Sequence, residues 1–195
     1  MAKKTSKRPA GNNPATKNKL RNYIIWGAVA LGVIALGALL YLNLQEPETL
    51  SDLVRSVGLE RGHDENVVYE GSELPPVGGI HSGIWQNCGI YDEPVLAKNA
   101  VHSMEHGAVW ITYRPDLPAG DVDRLRDTVQ GEPYVLLTPY EGLKSPVVLT
   151  AWGIQLEVDE ANDDRIATFI ERYEQGPQTP EPGATCQDGT GSPIG

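Results

Sequence analysis

Twenty consecutive uncharged residues, Tyr23 to Leu42 (YIIWGAVALGVIALGALLYL), constrain this chain more than any other feature. At about 1.5 Å of rise per residue, a helix of that length crosses a hydrocarbon layer of ~30 Å. Tyr23, Trp26 and Tyr41 sit near its ends, where amphipathic rings favour the membrane interface. The apolar core of a cleaved signal peptide is shorter, about 7–15 residues, and runs into small residues at the cleavage site. Here Leu40, Tyr41, Leu42 and Asn43 follow, so the segment reads as an uncleaved single-pass anchor. Ala28 and Gly32 form a small-xxx-small pair on which a second helix could pack, although such residues are frequent in membrane helices anyway.

Charge divides sharply at this segment. Seven of the 16 basic residues precede it (Lys3, Lys4, Lys7, Arg8, Lys17, Lys19 and Arg21), with no acidic residue among them. The rest of the chain holds nine basic residues against all 26 acidic ones, a formal balance of −17. The basic stretch 1–22 reads as a disordered cytoplasmic tail, held inside by the positive-inside rule and attracted to anionic lipid. The main body then lies outside the cell membrane. Its acidity excludes nucleic acid, whose phosphates it would repel, and is compatible with a metal cation.

Beyond the anchor, residues 43–61 read as a polar linker. Leu50, Leu53, Val54 and Val57 recur there at helical spacing and suggest a short helix. An external domain over 62–176 follows, then a tail over 177–195 rich in Gly and Pro. Residues 71–94 form a Gly/Pro-rich loop. Strands are expected over Val109–Tyr113, Tyr134–Thr138 and Val147–Val158, the last broken at Gly153. Helices are expected over Leu117–Gln130, capped by Asp121, and over Asp163–Gln175. This pattern predicts an α+β domain with a small sheet and two or three helices. Asp159, Glu160, Asp163 and Asp164 lack the spacing of a calcium loop and suit a helix start instead.

The chain has two cysteines, Cys88 and Cys186, and no C-x-x-C. Outside the cytoplasm a disulfide between them is chemically permitted, tying the Gly/Pro-rich loop to the tail. All four histidines, His63, His81, His102 and His106, fall within 44 residues. On a helix His102 and His106 share a face and could grip one ion. In an extended segment His102, Met104 and His106 would share it instead. His81, and with it His63, are candidates to complete the site. Imidazoles with a thioether suit copper, and imidazoles alone also suit zinc.

His102-Ser103-Met104-Glu105-His106 also matches H-x-x-E-H, the inverted zincin signature. In a hydrolase of that kind Glu105 would be the general base, with Glu171 or Glu174 as the distant zinc ligand. Glu105 could equally orient a histidine or be a surface charge. Trp85, Tyr91, Trp110 and Trp152 suit core or loop packing, with a ligand-binding wall as the other option.

The strings PPVGGIHSGIWQNCGIYDEPV and AVHSMEHGAVWITYRP, with YVLLTPY, TAWG and QTPEPGATC further on, resemble the bacterial family known as domain of unknown function 3105. The resemblance covers roughly Gly62 to Cys186. It implies a single-pass anchored protein with an external domain, with family histidines at His63, His81, His102 and His106 and family cysteines at Cys88 and Cys186. Relatives often carry leucine at the position of Met104, which leaves the imidazoles as the donors. No activity is established for the family. The reading that results is a membrane protein that binds copper or zinc without catalysis, its external metal site formed by His81, His102, His106 and His63. A structural subunit docking a membrane protein through the Gly/Pro-rich loop is the alternative, and a small zinc hydrolase the third.

Overall fold

Four five-residue runs rich in β-branched and apolar residues build the centre of the domain: VWITY, VLLTP, VVLTA and IQLEV. Three of them are buried at every position, the signature of strands covered on both faces. In a computed structural model of the chain, residues 14–44, 48–69 and 74–194 are described. Lys3, Lys4, Lys7, Arg8, Glu46 and Gly71 lie outside the described residues. The chain divides into two units, Met1–Glu46 and Pro47–Gly195.

The described residues of the first unit form one helix, α1 (Pro14–Leu44). Within it Arg21–Leu42 is long and apolar enough to cross a membrane, and none of it is buried. Residues 14–22, part of the stretch expected to be disordered, are therefore helical. A helix once nucleated propagates through good helix formers such as Lys, Leu and Arg, and proline is tolerated in its first turn.

In the second unit a 3-10 turn (Glu48–Leu50) leads to strand β1 (Val54–Arg55). The helix expected there does not form. Leu50 is almost fully buried in the core, and β1 pairs with β6 at the edge of the sheet, so tertiary contacts override local spacing. There follow β2 (Gly89–Ile90), α2 (Ala97–Glu105), β3 (Val109–Tyr113), α3 (Ala119–Val129), β4 (Val135–Pro139), β5 (Val147–Ala151), β6 (Ile154–Val158) and α4 (Arg165–Tyr173). The sheet order is β1-β6-β5-β3-β4-β2. Strands β3, β4 and β2 run parallel, with α3 as the crossover between β3 and β4; the other pairings are antiparallel. The broken third strand is thus a hairpin. At its turn Gly153 has φ +72°, and a Cβ there would lie 2.8 Å from the Ser56 carbonyl oxygen, so only glycine fits. Asp121 lies in the first turn of α3, paired with Arg124; Pro118 takes the cap position.

Side chains alternate across the sheet. Val109, Ile111, Val135, Leu137, Leu149 and Leu156 join Leu125 and Val129 of α3 and Ile166, Phe169 and Ile170 of α4 in one apolar cluster. Each such side chain contributes about 1.5–3 kcal/mol on burial. Trp110 and Leu136 point the other way and meet Ala100, Val101 and Met104 of α2, with Cys88 and Cys186, in a second cluster. Those two cysteines form a disulfide, their Cα atoms 5.4 Å apart. The tail has no regular secondary structure, yet it is packed into the fold. Cys88 N–H donates to Cys186 O, Asn87 N–H to Thr190 O and Thr190 N–H to Trp85 O.

Candidate metal centre

Every residue of α2 from Asn99 to Glu105 is buried. Its apolar side (Ala100, Val101 and Met104) packs on the sheet, and the 81–91 loop and the tail cover the rest. Ser103 Oγ donates to the carbonyl of Gln86, tying helix to loop. The helix ends at His106, whose N–H donates to His102 O at 3.1 Å. Gly107 then turns the chain into β3 with φ +101°. A Cβ at that position would strike the Gln175 side chain. The segment is helical, so His102 and His106 share a face, their ring centres 4.6 Å apart.

His81 arrives on the Gly/Pro-rich loop and brings His63 with it. His81 N–H donates to Gly62 O and Asp64 N–H to His81 O, a short parallel bridge that sets His63 beside His81. Tyr69 Oη donates to Ile80 O at 2.7 Å and props the same loop, and burial pushes its phenol up to about 12. The ring centres of His63, His81 and His102 form a nearly equilateral triangle with sides of 4.9 to 5.0 Å. Glu105 completes the group: its Oε2 is 3.0 Å from His81 Nε2 and 4.0 Å from His63 Nε2. One donor atom from each of His63, His81, His102 and Glu105 lies within 4.8 Å of the others. A group of this kind could hold a metal ion.

Backbone carbonyls orient the rings. Nδ1 of His81 donates to Gly79 O, Nδ1 of His102 to Ser82 O and Nδ1 of His106 to Thr185 O, each at 2.7 Å. A carbonyl can only accept, so each Nδ1 carries the hydrogen, and in His81 and His102 this leaves Nε2 as the nitrogen that could ligate an ion. His81 Nε2 then faces Glu105 Oε2 at 3.0 Å, a separation at which one ion could take a bond from each. His102 is nearly buried, and this burial pushes its imidazole down to about 4 despite the Ser82 carbonyl, with the neighbouring histidines adding to the effect. Its imidazole is neutral at ordinary pH, the form in which a histidine can ligate a metal. The group also lies at the C-terminal end of α2, where the helix dipole favours a cation.

Other candidates fall into different surroundings. Met104 is completely buried in the apolar cluster beside Trp110, so its thioether is core filling and not a donor. His106 stands outside the four-donor group, with its Nε2 3.9 Å from Glu181 Oε2. Glu105, considered as a catalytic base, sits among the donors; the signal was its spacing of three from His102, which puts both on one helix face. Glu171 and Glu174 are also outside the group. Glu171 lies in α4 and Glu174 at its end, and the buried side of that helix belongs to the other apolar cluster; Glu174 accepts the Tyr134 N–H at 2.8 Å. Trp110 is core and donates to Thr138 Oγ1; Tyr91 donates to Asn87 O within the loop. Trp152 stands edge-on to His81 at 5.8 Å, and Trp85 is 5.6 Å from His102 and 5.0 Å from His106, so these two wall the histidines.

No curated protein and no solved structure matches the chain. A family model described as protein of unknown function (DUF3105) matches residues 61–188, a span that contains all four histidines and both cysteines. The chain belongs to that family.

Proposed function

We propose that this chain is a single-pass membrane protein whose body faces an oxidising, extracytoplasmic space and binds a divalent transition metal there, zinc or copper, without catalysis. The observation that carries this reading is the convergence of His63, His81, His102 and Glu105 with donor atoms within 4.8 Å. A metal–nitrogen bond of about 2.0–2.1 Å places an imidazole centre about 3.2 Å from the ion, so two tetrahedral imidazoles have centres about 5.2 Å apart. The observed 4.9 to 5.0 Å is close to that spacing. Nitrogen and carboxylate donors without sulfur favour Zn(II) or Cu(II) over Cu(I). The disulfide supports an oxidising compartment, and the basic residues before the span support a cytoplasmic amino terminus.

The test is a competition titration of the full chain, solubilised in detergent and free of any added histidine tag, against chelators for Zn(II), Cu(II) and Cu(I). One ion per chain bound more tightly than about 1 μM supports the reading. That binding should be lost in His102→Gln and in Glu105→Gln, while a near-ultraviolet spectrum shows the tryptophans still packed. A folded chain with its disulfide intact that binds none of the three ions refutes it.

A further inference from the structure

The four donors differ in their access to solvent. The side chains of His81 and Glu105 are 0% and 4% exposed, and His102 is 5% exposed as a residue, whereas the side chain of His63 is 54% exposed. The backbone under His63 is nonetheless fastened. Its neighbours bond to the His81 segment on either side, through Gly62 O and Asp64 N–H. Two residues on, Glu65 accepts from Gly83 N–H at 2.6 Å and from Ser82 Oγ at 3.0 Å, and Lys98 pairs with it. The backbone is therefore tied down on both sides of His63, and its imidazole is the one donor of the four that faces solvent.

Resting on the metal-binding reading, we propose that His63 is the exchangeable ligand of this centre. His81, His102 and Glu105 form the fixed cage. When His63 swings out, two imidazoles and one carboxylate keep the ion and one coordination position opens to solvent, the arrangement of a metal site that accepts an outside ligand. Trp85 and Trp152 wall the buried histidines, so the open position lies on the His63 side. A monodentate imidazole-class donor from solution fits it, taking the place of the departed ring without disturbing the cage.

The experiment uses the full chain in detergent loaded with Co(II), whose visible absorbance is intense in four-coordinate tetrahedral sites and weak in more hydrated ones. The wild-type chain gives the intense band, which imidazole leaves unchanged. His63→Ala should bind Co(II) roughly 10- to 100-fold more weakly, the scale on which metal-site partners act, with a weaker band. Free imidazole should restore both the band and the affinity. It should fail to restore His81→Ala, because that position is closed to solvent. Should His81→Ala not fold, a second measurement replaces it: removal of Co(II) by excess chelator should be faster from His63→Ala than from wild type, and imidazole should slow it. Wild-type affinity in His63→Ala, absence of imidazole rescue, or an unchanged removal rate each overturn the proposal while leaving the metal reading intact. Failure of the wild-type chain itself to bind Co(II), Zn(II) or Cu(II) overturns the metal reading and this proposal with it.

Discussion

Replacing Cys88 and Cys186 together by alanine should lower the stability of the body by about 3–5 kcal/mol. The disulfide joins residues 98 apart in sequence. Closing a loop of about 100 residues removes denatured-state entropy equivalent to about 4.7 kcal/mol in the chain-entropy model, and measured values often fall below that figure. Two structural features bear on it. Both cysteines are buried in the second apolar cluster, so alanine also leaves a small cavity. Against this, the tail also bonds to the 85–91 loop independently of the crosslink's sulfurs, through Trp85 Nε1 to Gln187 O and Gly189 N–H to Asn87 Oδ1. These oppose detachment of the tail in the folded state but leave the denatured-state contribution untouched. At about 2–4 °C per kcal/mol for a domain of this size, a loss near 4 kcal/mol lowers Tm by about 8–16 °C. The assay is urea unfolding of a chain beginning at Pro47, followed by tryptophan fluorescence. The midpoint should fall and the m-value should rise, because the open denatured chain exposes more surface. A loss below about 1 kcal/mol with an unchanged m-value would refute the loop-closure reasoning. It would mean that the denatured chain keeps these two segments together without the bond.

Three further outcomes follow from the same contacts. Because the His102 imidazole is pushed from 6.5 to about 4 in the folded, metal-free chain, the unfolded chain binds the extra proton first as pH falls; stability is full above about pH 6.5 and declines toward pH 4, by up to about 3 kcal/mol, and urea midpoints for His102→Gln should lose that slope. Met104→Leu should cost less than about 1.5 kcal/mol and leave metal affinity unchanged, whereas Met104→Ala should cost about 2–5 kcal/mol; loss of metal binding in the leucine variant would restore the thioether as a ligand. Gly107→Ala forces a side chain onto a φ of +101° and against Gln175, so it should cost about 1–3 kcal/mol in thermal unfolding, and a neutral result would contradict the turn geometry.

What the sequence determined is what depends on neighbours along the chain. The uncharged run from Tyr23 marks a helix long and apolar enough to cross a bilayer, because length and apolarity are local properties of the run. Runs such as VWITY and YVLLT mark strands, and the spacing of Ile166, Phe169, Ile170 and Tyr173 marks a helix face, because these periods are local. The relation of His102 to Glu105 and His106 is likewise legible once that segment is helical. Local spacing failed over Leu50 to Val57, where burial of Leu50 and pairing of Val54 and Arg55 with β6 outweighed a helical pattern. It also described the tail as irregular without showing that it is packed, since its backbone groups find partners on a loop about a hundred residues earlier. Only the tertiary structure decided which histidines meet. His63 reaches His81 through a short parallel bridge, His102 is anchored beside His81 through the Ser82 carbonyl, and His106, though its ring lies beside that of His102, bonds to Thr185 O and stays outside the four-donor group. Those contacts join residues far apart in sequence, and their energies come from strand pairing and burial, which periodicity along the chain does not encode.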